Sequence, residues 1–124
     1  MILVDTSVWV DHLRAGESAL ADLLEHGRVL THPFVIGELA CGNLRNRDDV
    51  LGLLRKLPNA PTATDEEVLF FIERHRLHGL GIGYIDAHLL AAVSLADTAS
   101  LWTRDKRLYG CASAIGLVSA EQYD

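Results

Sequence analysis

Cysteine is scarce in this chain, and long apolar runs are missing. Cys41 and Cys111 are the only thiols among 124 residues and lack metal-type spacing. They read as a small core residue and a helix residue respectively, which suits a reducing cytoplasm rather than a disulfide framework. No apolar run approaches the ~20 residues needed to cross a bilayer. Ile2-Leu3-Val4, between Met1 and Asp5, is too short for a signal-peptide core. Basic charge is also in short supply, with 11 Lys and Arg against 17 Asp and Glu and a formal charge of −6. That balance argues against a polyanionic partner unless some acids hold metal, since roughly two divalent ions would neutralise four carboxylates. Hairpin signals, internal repeats, low-complexity tracts and linkers are absent as well. What remains is a globular composition, 49% apolar and 23% charged. The expectation is one soluble cytoplasmic domain over residues 1–124.

Strands alternate with helices along the chain. Ile2-Leu3-Val4 reads as a buried parallel strand running into a helix at Asp5-Thr6-Ser7. The helix over Val8–Leu13 closes at Ala15-Gly16, and a second lies between Ser18 and Glu25 with Gly27 as its stop. Arg28-Val29-Leu30-Thr31 is a second strand. Pro33 opens a helix to about Asn46, and Asp48-Asp49 another through Leu57. A weak third strand is predicted at Thr62-Ala63-Thr64. Helices follow from Asp65 to His78 and from Tyr84 to about Ala96, then a strand at Ser100–Thr103. A short helix from Asp105 to Gly110 and a last strand at Gly116-Leu117-Val118 complete the reading. The pattern predicts an α/β fold: a central parallel sheet covered on both faces.

Four carboxylates occupy places where a solvated surface acid is out of character. Asp5 ends the first strand and Asp105 lies just past the Leu101-Trp102-Thr103 strand. Glu38 and Asp86 belong to helices and share faces with apolar neighbours, Phe34 and Val35 for the first, Leu89 and Leu90 for the second. Both are expected to point inward. Each acid has a plainer explanation: a helix cap for Asp5 and Asp105, a first-turn acid for Asp86, a pair with Arg45 for Glu38. One shared site accounts for all four at once, because open parallel sheets place their sites at the carboxyl ends of the strands. Clustered ionised acids need cations, donors or raised pKa values, and a hard divalent ion is the simplest cation for oxygen ligands. The chemistry expected of such a site is metal-dependent attack on a phosphate ester.

Other candidates carry less. His75 and His78 lie on a charged helix face without a third ligand for zinc. His32 and His88 read as packed core histidines, Trp9 and Trp102 as core. Ser7 lacks the glycine elbow of a hydrolase nucleophile and is a cap or phosphate contact. Arg104, Lys106 and Arg107 flank Asp105, where they can meet a polyanion backbone.

Four segments together resemble the PIN-domain ribonucleases, in particular the VapC-type toxins of type II toxin–antitoxin systems. They are Leu3–Trp9, Ile36–Gly42, Gly83–Ala91 and Leu101–Leu108, in order along the chain. The resemblance implies a three-layer α/β/α fold with strand order 3-2-1-4-5. It implies a pocket binding Mg²⁺, with Mn²⁺ as a substitute, through Asp5, Asp86, Glu38 and Asp105. Asp5 and Asp86 would be the main ligands, with Ser7 and Thr103 in support. It further implies endoribonuclease activity on cellular RNA, a small VapB-type antitoxin as partner, and a homodimer. A non-catalytic PIN-like binding module and a receiver-like phosphoacceptor domain are the competing readings. The receiver fits poorly, because Thr6 stands where a second acid is needed and Lys106 follows an extra acid, Asp105.

Overall fold

The computed structural model describes residues 1–118; residues 119–124 of the expected domain lie outside it. Ten elements follow one another: β1 (Ile2–Val4), α1 (Thr6–Ala15), α2 (Ser18–Glu25), β2 (Val29–Leu30), α3 (Pro33–Cys41), α4 (Arg47–Lys56), α5 (Asp65–His75), α6 (Tyr84–Leu95), β3 (Ser100–Trp102) and α7 (Lys106–Ala114).

All strand pairs are parallel. β1 lies centrally, with Ile2 opposite both Val29 and Ser100. Two single rungs extend the sheet, Thr31 with Asn59 beyond β2 and Leu101 with Val118 beyond β3. Counted along the chain with these rungs included, the order is 3-2-1-4-5, as expected. The third rung falls at Asn59 rather than at Thr62-Ala63-Thr64. There Thr31 N–H donates to Pro58 O and Ala60 N–H to Thr31 O, so pairing starts as soon as α4 has ended.

The chain leaves β1 toward β2 and the Asn59 rung, then crosses back to β3. Right-handed crossovers therefore put α1 to α4 on one face and α5 to α7 on the other. The core holds both layers to the sheet: Leu3 and Val4 are fully buried, and α6 buries every residue from Ala87 to Val93. A helix apolar on all sides belongs in an interior.

Several boundaries differ from expectation for local reasons. α3 stops at Cys41 because Gly42 leaves the helical region, whereas the sequence reading carried it to Asn46. α5 stops at His75 with Arg76 at φ +53°, short of His78. α7 continues past Gly110 to Ala114, since Cys111 and Ala112 bury against the core. The core role expected of Cys41 is contradicted: Cys41 is exposed at the end of α3, and Cys111 is the buried thiol. No helix among the described residues is long and apolar enough to cross a membrane.

Candidate active site

The reversal of chain direction beside β1 opens a crevice at the carboxyl ends of β1 and β3, where open α/β sheets hold their ligands. Asp5 lies at the bottom of this crevice and is 6% exposed. It occupies the N-cap position of α1 but makes no side-chain cap bond. Instead its Oδ2 accepts from Ser7 Oγ and from Thr103 Oγ1, each at 2.7 Å. Among the described residues Oδ1 receives no hydrogen bond, so one oxygen is held and the other is left to the crevice.

Thr103 is buried and carries the bond across from β3: its hydroxyl donates to Asp5 and accepts Asp105 N–H at 3.1 Å. Asp105 then caps α7, with Oδ1 accepting from Arg107 N–H and Leu108 N–H. The helix-cap reading is thus right for Asp105 and wrong for Asp5. Ser7 also accepts Arg104 N–H at 3.0 Å, which closes a ring of bonds between α1 and the β3–α7 turn.

Glu38 and Asp86 face the crevice from helices. Thr6 Oγ1 donates to Glu38 Oε1 at 2.8 Å, tying α3 to the start of α1. Asp86 Oδ2 accepts Gly83 N–H at 3.2 Å in the first turn of α6. The expectation that Glu38 points inward is overturned. Val35 and Leu39 make the buried stripe of α3, and Glu38 beside them is exposed. Asp105 is exposed as well, while Asp86 is half-buried. The site is an open cleft with one buried acid at its base.

The charges of three of the acids reach the fourth. Asp86 is pushed above the ordinary carboxylate range, first by burial and then by the charges of Asp5, Asp105 and Glu38, while the Gly83 N–H bond pulls the other way. Burial, followed by Asp86 and Asp105, likewise raises the Cys111 thiol. Asp11, Glu17, Asp22 and Asp65 all have basic partners. Among the described residues no basic side chain pairs with Asp5, Glu38, Asp86 or Asp105. Repelling oxygen donors without cations have the chemistry of a hard divalent-ion site. Among the described residues no three His, Cys, Asp or Glu side chains stand close enough together to hold a metal ion.

The chain matches the family model described as PIN domain over residues 2–112. It is also similar to Ribonuclease VapC32 of Mycobacterium tuberculosis, in strains CDC 1551 / Oshkosh and ATCC 25618 / H37Rv. The identity is 49% over 122 residues in each case, covering 98% of both chains. The chain belongs to the PIN-domain family, in its VapC branch. Its parallel α/β architecture and strand order agree with that membership.

In this PIN domain, two sets of supporting residues escaped the sequence reading. Thr6, which holds Glu38, had its signal in a strand-end Asp-Thr-Ser whose hydroxyls can serve two acids. Arg104 braces the site: its guanidinium pairs with Asp11 and Glu17 and lies 5.9 Å over the Trp102 ring. These pairs lower Glu17 and raise Arg104 from their ordinary pKa values. No local pattern announces a partner that lies 87 or 93 residues away.

Proposed function

We propose that this chain is a divalent-metal-dependent endoribonuclease that hydrolyses phosphodiester bonds of cellular RNA as the toxin of a toxin–antitoxin pair. The observation that carries the reading is the half-buried Asp86, raised in pKa first by burial and then by the charges of Asp5, Asp105 and Glu38, with no basic partner for any of the four among the described residues. The name Ribonuclease VapC32, borne by a relative 49% identical over nearly the whole length, supports the same chemistry.

Asp5 and Asp86 are the proposed main ligands, with Glu38 and Asp105 completing the charge. The ion, Mg²⁺ or Mn²⁺, supplies Lewis acidity for attack on the phosphorus and for departure of the leaving oxygen. Ser7 and Thr103 hold the Asp5 carboxylate by Oδ2, which leaves Oδ1 for the ion. Thr6 does the same for Glu38. Carboxylates that are neutralised on loading no longer repel a phosphate backbone, which reconciles an acidic chain with a polyanionic substrate.

The wider reading follows from the family. Residues 1–124 form one domain, acting in the cytoplasm as a homodimer inhibited by a small VapB-type antitoxin. The test is incubation of the purified, antitoxin-free protein with total RNA, with and without chelator, alongside Asp5→Asn and Asp86→Asn. Cleavage that chelator stops, that Mg²⁺ or Mn²⁺ restores and that both variants lack is the expected result. Cleavage undiminished in excess chelator, or retained by both variants, would refute the metal assignment. Absence of any cleavage by the wild-type protein would leave the non-catalytic reading.

A further inference from the structure

Two exposed side chains stand two residues from acids of the site, Tyr84 before Asp86 and Arg107 after Asp105. Tyr84 opens α6 two residues before Asp86 and is 45% exposed. Its hydroxyl donates to Asp65 Oδ1 at 2.9 Å, and its ring stands edge-on to the buried His88 with centroids 4.7 Å apart. Phe34, one turn before Glu38 on α3, meets the same imidazole, also at 4.7 Å. An aromatic shelf therefore adjoins the two helices that present Glu38 and Asp86.

The second side chain is Arg107, two residues after Asp105 on α7. It lies across the loop that leads into α6. A Cβ at Gly81 would fall 2.6 Å from Arg107 Cδ and 2.7 Å from Nη1, so the arginine lies directly against the bare Gly81 backbone. Among the described residues no carboxylate pairs with this guanidinium, although Asp105 is its near neighbour in sequence. An exposed cation without a carboxylate partner among the described residues is available to an incoming anion.

A π face on one border of the acids and a free guanidinium on another match the two chemical parts of a nucleotide. Unpaired bases stack on aromatic rings regardless of sequence, and arginine pairs with backbone phosphate. Beside acids that are read as an RNA-cleaving site, both fit an RNA strand. We infer that Tyr84 and Arg107 grip the nucleotides flanking the scissile phosphate, Tyr84 by stacking an unpaired base and Arg107 by pairing with a backbone phosphate. The inference rests on the RNA-cleaving reading above and adds substrate-binding residues to it.

The test is fluorescence anisotropy with a fluorescein-labelled single-stranded oligoribonucleotide pool of mixed sequence, in Mg²⁺, on full-length Asp5→Asn protein so that the probe stays intact. Adding Tyr84→Leu weakens binding by about tenfold, because bulk remains but the π face is lost. Adding Tyr84→Phe leaves binding unchanged, which separates stacking from the Asp65 hydrogen bond. Adding Arg107→Gln weakens binding and lowers the slope of log K against log salt by about 0.7, the value for one phosphate on a single strand. A merely structural arginine would not move that slope. Unchanged binding in the Leu and Gln variants, equal losses in Phe and Leu, or no saturable binding by the parent would each overturn the inference. Unchanged RNA binding with altered self-association in sedimentation would assign this rim to a protein interface and overturn it too. Cleavage of total RNA by the wild-type protein, measured separately, reports on the enzymatic reading alone.

Discussion

Replacing Thr103 by valine tests the innermost bond of the cleft. The shape is nearly kept, while a buried hydroxyl that bonds the Asp5 carboxylate and the Asp105 backbone N–H is lost. Its bond to Asp5 Oδ2, at 2.7 Å, is charge-assisted, a class worth about 1.5–3 kcal/mol net. Its acceptance of Asp105 N–H at 3.1 Å adds about 0.5–1.5 kcal/mol. A methyl in place of the hydroxyl returns about 0.8 kcal/mol of apolar burial. The net loss is then about 2 kcal/mol, or roughly 8 °C in melting temperature for a domain of this size. Thr103→Ser keeps the hydroxyl and should recover most of it. Urea unfolding of the single variants and of the pair with Asp5→Asn completes the cycle, where direct bonding demands a coupling above about 0.5 kcal/mol. Cleavage should fall with the valine variant and return with serine. Additive losses, or a valine variant as stable as wild type, would show that the hydroxyl does not hold Asp5.

Asp86→Asn should abolish cleavage yet raise stability in chelator, as often happens when a functional site is relaxed. Its carboxyl is raised in the folded state, so ionisation costs stability as pH rises through that range. The gain from asparagine is therefore full at neutral pH and vanishes in acid; melting below wild type at pH 7 would contradict this. His32 is fully buried, and burial with the nearby His88 pushes its imidazole down to about 4. Stability should be complete above pH 6.5 and decline toward pH 4, by up to about 3 kcal/mol for a depression of that size. His32→Asn should flatten that part of the urea-unfolding profile, and an unaltered profile would sink the assignment. Gly81→Ala should cost about 1–2 kcal/mol from φ +83° alone, plus the collision with Arg107. Adding Arg107→Ser should recover only the second part, so full recovery would exclude backbone strain.

What the sequence disclosed and what it concealed divide by range. Asp5 and Asp105 were legible because a strand end followed by a helix start fixes where a side chain emerges, whatever lies elsewhere. The buried parallel strands were legible from short apolar runs. Glu38 was read as inward because it lies beside apolar residues, yet the buried stripe of α3 runs through Val35 and Leu39 and leaves it at the open edge. The third strand was misplaced because a single rung at Asn59 has no run of β-formers to mark it. Helix ends at Cys41 and His75 depended on backbone turns at Gly42 and Arg76 that propensity alone does not announce. The Arg104 brace and the tie between Tyr84 and Asp65 needed folded neighbours to exist at all.

The Asn59 rung has a bearing on how this chain survives at high concentration. Pro58 and Pro61 bracket it, and neither carries an N–H. Pro58 O and Ala60 N–H turn inward to Thr31, so a stray strand approaching that border would meet Asn59 and then Pro61, which has no donor. Such a border offers only a very short ladder for intermolecular zippering, so clumping through this side of the sheet is disfavoured at the level of backbone chemistry.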